Sequence, residues 1–214
     1  VAYAGAAACG TALVLYGAAL TDTTVVRAVL LFYLAPLWSL GIEIAWMGRR
    51  LRVTDGLSVL LAALGLVAVF RGDIDLSAFR IGDGLAVLAG MAWSVGSALL
   101  ASGGRGPSAP LVATACATGA AVGFGLHGLL GVPGSIQPTP TALAVVLAVG
   151  TVYLAPAVAA TLWSARQLPP TTMSYLLTAE IVSGIASAAL LLDEPFGLPE
   201  VVGSIAILGA ALVE

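Results

Sequence analysis

Charge is scarce in this chain: Asp, Glu, Lys and Arg make up 9% of its 214 residues, where a soluble domain carries about 25%. There are too few polar side chains to cover a water-facing core of that size, which excludes an ordinary soluble globule. The eight basic residues, all arginine, are outnumbered by eleven acidic ones, and the formal net charge is −3. They form no basic stripe, so nucleic acid is excluded as a partner. Cys9 and Cys116 sit inside apolar runs without CxxC spacing, which argues against a disulfide framework or a thiolate metal site and for small buried hydrophobes. The lone histidine, His127, has no Cys, His or carboxylate cluster beside it; it reads as an interfacial side chain, not a metal ligand or catalytic base. No P-loop and no convergent nucleophile, base or metal set is visible, so neither ATP-driven work nor catalysis is expected, and no cofactor.

What the chain has in abundance is hydrophobic residues, at 60%, with a mean hydropathy of +1.07. A bilayer is the solvent that fits this surface. Crossing about 30 Å of hydrocarbon takes roughly 17–25 apolar helical residues. Runs of that kind, separated by charged, Gly or Pro clusters, predict an all-α integral membrane protein of about eight transmembrane helices: Ala2–Leu20, Val26–Met47, Gly56–Phe70, Gly84–Ala101, Pro110–Gly131, Thr141–Ala165, Thr171–Leu192 and Leu198–Val213. The third and eighth are short. The runs are continuous and rich in Ala and Leu, without the alternation of a membrane barrel. Pro36 and Pro156 each lie inside a run and are expected to bend their helices by removing a backbone donor. Gly119 and Gly123 form a single GxxxG step, a weak packing signal in a chain with 26 glycines.

Arginine placement gives an orientation. The loops after helices two, four and six hold Arg49, Arg50, Arg52, Arg105 and Arg166, while the other side holds Arg71 and Arg80, with Arg27 at a helix start. The first set is expected to face the cytoplasm.

An internal repeat is also present. Tyr16-Gly17-Ala18, Thr23-Thr24, the helix containing Leu34-Ala35-Pro36, and Gly48-Arg49-Arg50 have counterparts about 145–148 residues later in Trp163-Ser164-Ala165, Thr171-Thr172, the helix containing Ile181, and Asp193-Glu194-Pro195. Helices one to three thus match helices six to eight. Equivalent loops differ in sign, basic at Arg49, Arg50 and Arg52, acidic at Asp193, Glu194 and Glu200, so the copies are expected to insert with opposite orientation. The division is residues 1–70 as a partial first repeat of three helices, 71–83 as the inter-repeat loop and 84–214 as a second repeat of five. A complete repeat has five helices and the first copy shows three, and the chain begins with Val1 inside an apolar run, so two N-terminal helices are expected to be missing from a ten-helix parent.

The stretches Leu30 to Ser39 (LLFYLAPLWS), Gly82-Asp83-Gly84, Trp163 to Tyr175 (WSARQLPPTTMSY) and Ala189 to Gly197 (ALLLDEPFG) resemble the EamA-type drug/metabolite transporters. Their order runs through essentially the whole chain. The resemblance implies ten helices in two inverted five-helix repeats, and export of amino acids or other small metabolites across a bacterial inner membrane. This chain departs from the pattern where helix two enters its loop: Arg49 stands where such proteins usually carry a Glu.

Candidate site residues follow from cost. Glu180 lies near the middle of the seventh helix, where a charge costs roughly 2.5–3.5 kcal/mol unless it faces a cavity or a partner. Ser183, Gly184 and Ser187 follow on the same helical face. Two readings stand: a face lining a polar central cavity, with Glu180 binding a substrate ammonium group or carrying a coupling proton, or a protonated Glu180 acting as interhelical glue. The repeat sets Ala35, Trp38 and Ser39 opposite this face, with Glu43 one turn further toward the cytoplasm, either in the cavity or paired with Arg49 or Arg50 at the interface. Tyr153 and Trp38 are aromatic candidates for substrate contact, and equally for interfacial anchors. The function expected is a secondary transporter alternating its access around a midplane site; the rivals are an intramembrane enzyme and a channel or scaffold.

The inverted repeat has a direct check. Labelling from each side of the membrane should place the loops bearing Arg49 and Glu194 on opposite faces; finding both on one face would remove the inversion.

Overall fold

The computed structural model describes residues 1–50, 52–69, 79–103, 108–130, 139–177, 187 and 197–212. Among these every regular element is helical: α1 (Ala2–Asp22), α2 (Val25–Phe32), α3 (Ala35–Met47), α4 (Val53–Val69), α5 (Ile81–Ser102), α6 (Ala109–Leu130), α7 (Pro140–Ala148), a π-helical segment (Val149–Leu154), α8 (Ala155–Ala165), α9 (Pro170–Leu177) and α10 (Leu198–Leu212). Five spans are long and apolar enough to cross a membrane: Ala2–Asp22, Arg27–Met47, Ile81–Ser102, Ala109–Leu129 and Pro140–Ala165. The protein is therefore an all-α, membrane-embedded chain. The expected third and eighth helices are the short apolar α4 and α10, which pack against each other.

The long helix α5 sits at the centre, packing on α1, α2, α3, α8 and α9. In lipid there is no hydrophobic gain from bringing apolar helices together, so close van der Waals contact must hold them, and small residues permit it. The buried face of α5 is made largely of them: Gly82, Ala86, Ala89, Gly90, Ser94, Gly96 and Ser97, with Trp93 as the one large exception among aromatics. On α1, Gly5 and Cys9 meet this face; a Cβ on Gly96 would lie 2.6 Å from the Cys9 sulfur. The other side of α1 receives α6, where Gly119 would carry a Cβ 3.1 Å from the Gly10 carbonyl. The GxxxG step thus faces α1, with Gly123 against Val14.

The second expected span, one helix over Val26–Met47, is in fact two. α2 ends at Phe32, Tyr33 and Leu34 form a turn, and α3 starts at Ala35 with Pro36 in its first turn. Pro36 has no N–H for the Phe32 carbonyl, so the helical ladder cannot run through. Helix α5 closes the gap: a Cβ on Gly90 would lie 2.7 Å from that Phe32 oxygen, so only glycine lets α5 come this close. One turn on, the Ser94 hydroxyl donates to the Ala35 carbonyl at 2.9 Å.

At Pro156 the structure shows a different response. The six residues Val149–Leu154 just before it are π-helical, and the Ala155 N–H donates to Gly150 five residues back. A wider turn is the local answer to a ring that would crowd the carbonyl four residues earlier. The fourth helix also differs from expectation, starting at Ile81 and not Gly84, for a reason that belongs to the site below.

Gly90 and Gly17 make a matched pair for testing this packing, since nothing lies within 4 Å of a Cβ built on Gly17. Gly90→Ala should destabilise the detergent-solubilised protein by roughly 1–3 kcal/mol through overpacking. Gly17→Ala should leave its thermal midpoint unchanged or slightly raised. Equal midpoints for the two would contradict the close approach of α5 to the helix break.

Candidate functional site

Charged side chains gather at the two ends of the bundle. At one end, α3 stops at Gly48, whose left-handed backbone (φ 71°) suits glycine. The reversal lets the Arg49 N–H donate to the Glu43 carbonyl at 3.1 Å and swings its guanidinium back over the helix end. One arm donates to the Glu43 carboxylate at 2.9 Å and the other to Asp55 at 2.9 Å. The second Asp55 oxygen accepts the Arg52 backbone N–H at 2.7 Å, so Asp55 caps the start of α4 while pairing with Arg49. The remaining Glu43 oxygen reaches across to α9 and accepts the Thr171 N–H at 3.0 Å. Thr171 follows Pro170 in the first turn of α9, so Glu43 caps a neighbouring helix from outside, at its positive end. Thr171 also accepts from Arg49 through its hydroxyl, at 3.4 Å. Glu43 and Asp55 are buried. Of the two alternatives for Glu43, the pairing with Arg49 is the one formed.

Beside this cluster a polar cleft of about 390 Å³ is lined by Glu43, Met47, Arg49, Ala101, Arg166 and Gln167 together with Leu168-Pro169-Pro170. Its lining brings the ends of α3, α5 and α8 to one side of the bundle, as the alternation of arginine-bearing loops predicts for Arg49 and Arg166.

At the opposite end, Asp83 does the same work for α5. Its Oδ2 accepts the Arg80 backbone N–H at 3.0 Å and the Arg27 guanidinium at 2.8 Å, and its Oδ1 accepts the Thr23 hydroxyl at 2.7 Å. Because Asp83 reaches back to Arg80, the helix begins at Ile81. The Asp22 carboxylate accepts the Gly82 N–H at 2.7 Å, and the Arg80 side chain donates to the Asp22 carbonyl at 3.0 Å. Asp83 is fully buried and Arg27 partly exposed.

These aspartates were not among the expected site residues, although a signal for them exists. Residues 52–60, RVTDGLSVL, and 80–88, RIGDGLAVL, share the pattern Arg-x-x-Asp-Gly-Leu-x-Val-Leu. In both, the aspartate three residues after the arginine caps that arginine's own N–H and also pairs with a second arginine, Arg49 or Arg27. The signal is a 28-residue spacing between the ends of two consecutive helices, and a search for repeats of whole spans passes over it.

The expected site residues are dispersed. Glu180 and Ser183 lie outside the described residues. Ser187 is helical and exposed. Ser39 is fully buried in α3, whereas its neighbour Trp38 is 38% exposed. Tyr153 is 69% exposed on the π segment and lies outside the polar cleft. One further residue stands out at mid-depth. Trp93, on α5 one turn past Gly90 and the α2–α3 break, is 2% exposed, and its indole Nε1 has no hydrogen-bond partner among the described residues. A buried donor left so costs about 1–3 kcal/mol. Among the described residues no three His, Cys, Asp or Glu side chains are placed to hold a metal.

Comparison with known proteins bears on the fold alone. No family model matches the chain, and no curated protein matches it. Among solved structures, one whose description says only that it is a protein superimposes with a TM-score of 0.66 at 21% identity, covering 98% of this chain and 75% of its own.

Arg49 and its neighbour Arg50 separate the pairing from simple charge. Arg50 is exposed. Arg49→Ala removes the arginine partner of two buried carboxylates, each still held by a backbone N–H, and should cost roughly 1.5–3 kcal/mol, whereas Arg50→Ala should stay within about 0.5 kcal/mol of the parent. Thermal unfolding in detergent compares them, and indistinguishable midpoints would mean that the cluster does not hold α3, α4 and α9 together.

Proposed function

We propose that this chain is a secondary transporter of small polar metabolites such as amino acids, most simply an exporter, of the EamA-type drug/metabolite kind. The reading includes eight helices of a ten-helix inverted-repeat fold in a bacterial inner membrane, with the arginine-rich end cytoplasmic.

The observation that carries it concerns the repeat. The repeat read from the sequence matches Thr23 with Thr171, Thr23 standing just before the N-cap of α2 and Thr171 in the first turn of α9. Each is engaged by a carboxylate and its arginine, Thr23 by Asp83 with Arg27, Thr171 by Glu43 with Arg49. The first group lies at the start of α5 and the second in the cleft beside its last turn, so equivalent positions occupy opposite ends of the bundle. That placement supports reading the two copies as oppositely inserted, with alternating access about a shared centre. We read the helix break at Tyr33–Leu34, the buried serines of α3 and α5, and the Trp93 indole N–H, which has no partner among the described residues, as the side of a mid-depth site that Glu180 and Ser183 would complete. A proton taken up at Glu180 is the candidate coupling ion.

Flux in reconstituted vesicles tests this. Saturable, counterflow-competent movement of one metabolite is expected, and Glu180→Gln should lower it by roughly tenfold or more, the loss of one charge-assisted interaction. Product formation without flux would replace the carrier by an intramembrane enzyme, and unsaturable flux would replace it by a channel.

A further inference from the structure

Two consecutive helices open with the same Arg-x-x-Asp-Gly-Leu pattern, yet they start at opposite ends of the bundle. The 22 residues of α5 put those ends roughly 30 Å apart. Each aspartate holds an arginine from a different half of the one broken span. Arg27, in the first turn of α2, goes to Asp83; Arg49, just past α3, goes to Asp55. The span between them is interrupted at Tyr33–Leu34, where no continuous helical ladder joins the halves.

We infer that the two capped aspartates are the latches of two opposing gates, released in turn, with the Tyr33–Leu34 break as the hinge that lets α2 and α3 tilt separately. The inference rests on the carrier reading above and adds to it the parts that move.

Three features make these pairs able to open. First, neither aspartate is stranded when its arginine leaves. Asp55 keeps the Arg52 N–H, and Asp83 keeps the Arg80 N–H and the Thr23 hydroxyl, so the large penalty of an isolated buried charge is avoided. Second, the arginines are the partly exposed members, at 22% and 25% of side-chain surface against none for the aspartates, so water can take the vacated guanidinium. Third, each latch fastens a moving half to a helix start that is itself tied down: Asp83 sits on the central helix α5, and Asp55 sits on α4, which packs along α10. Releasing Arg49 would free α3 from α4 beside the polar cleft, while α2 stays latched to α5; releasing Arg27 would do the reverse.

Accessibility of single cysteines tests this without any substrate. In a background carrying Cys9→Ala and Cys116→Ala, Ser97→Cys reports on the interior one turn below the Ala101 rim of the cleft, and Ala86→Cys on the interior one turn from Asp83. Both positions are fully buried. The probe is a charged, membrane-impermeant maleimide added to one side of sealed vesicles. Adding Arg49→Gln should raise modification of Ser97→Cys by roughly tenfold, from loss of charge-assisted hydrogen bonds, and only from the Arg49 side, without raising that of Ala86→Cys. Adding Asp83→Asn should raise Ala86→Cys from the opposite side alone. If Arg49→Gln is not recovered as a monodisperse protein, Arg49→Lys, which keeps the charge and loses the fork, should give the same one-sided rise at smaller amplitude. No rise in either reporter, or one variant exposing both, would overturn the latches. Failure of the parent protein to carry any solute would instead sink the transporter reading, which the accessibility measurement does not touch.

Discussion

A carboxylate buried where water is scarce must find its partners within the protein, and Asp55 and Asp83 each find two kinds at once. One oxygen takes a backbone N–H at the start of the aspartate's own helix, and an arginine from the neighbouring span completes the set. A helix start in a bilayer presents unsatisfied donors that no solvent will fill, so the acid is as necessary to the backbone as the arginine is to the acid. The order of helices around the bundle ends follows from this. The Arg49 cluster joins α3, α4 and α9, the Arg27 cluster joins α1, α2 and α5, and the chain between them can then be apolar.

Between those ends the same demand is met by closeness. The carbonyl of Phe32, left without a donor by Pro36, faces Gly90, and the Ala35 carbonyl takes the Ser94 hydroxyl. A break that would be costly in exposed lipid is thus sheltered by α5, whose buried face is mostly glycine, alanine and serine. At Pro156 no such neighbour shelters the defect. Residues 140–157 of that span are almost wholly exposed, and the helix answers within itself, widening into a π turn. Two prolines in apolar runs therefore produce two different defects, decided by what packs beside them.

This difference marks where the sequence could be read and where it could not. Span positions were legible because length and hydropathy are set by the bilayer itself: α1, α6 and the Pro140–Ala165 span fall within two residues of the expected limits at each end. The short third and eighth helices were legible for the same reason. The break at Tyr33–Leu34 was not, because Pro36 announces a disturbance but its form depends on Gly90, some 55 residues away. The start of α5 was missed because hydropathy discounts Asp83, the residue that defines it. Glu43 was read as near Arg49, and its capping of α9 depends on Thr171, which no local pattern connects to it. Trp38, Ser39 and Tyr153 share a residue type suited to binding, but burial differs sharply among them, and periodicity alone does not separate a lipid-facing aromatic from an inward one.

Trp93 stands apart from the polar side chains around it. The neighbouring serines are satisfied: Ser94 and Ser97 both donate to carbonyls. Trp93, between them and the helix break, is 2% exposed and its indole N–H has no partner among the described residues, and a buried donor left so costs about as much as a whole hydrogen bond. Phenylalanine would fill similar space without that cost. At the ends of the bundle Asp55 and Asp83 each hold an arginine, while between them the helices are held by close approach of small residues and by serine hydroxyls returned to backbone carbonyls.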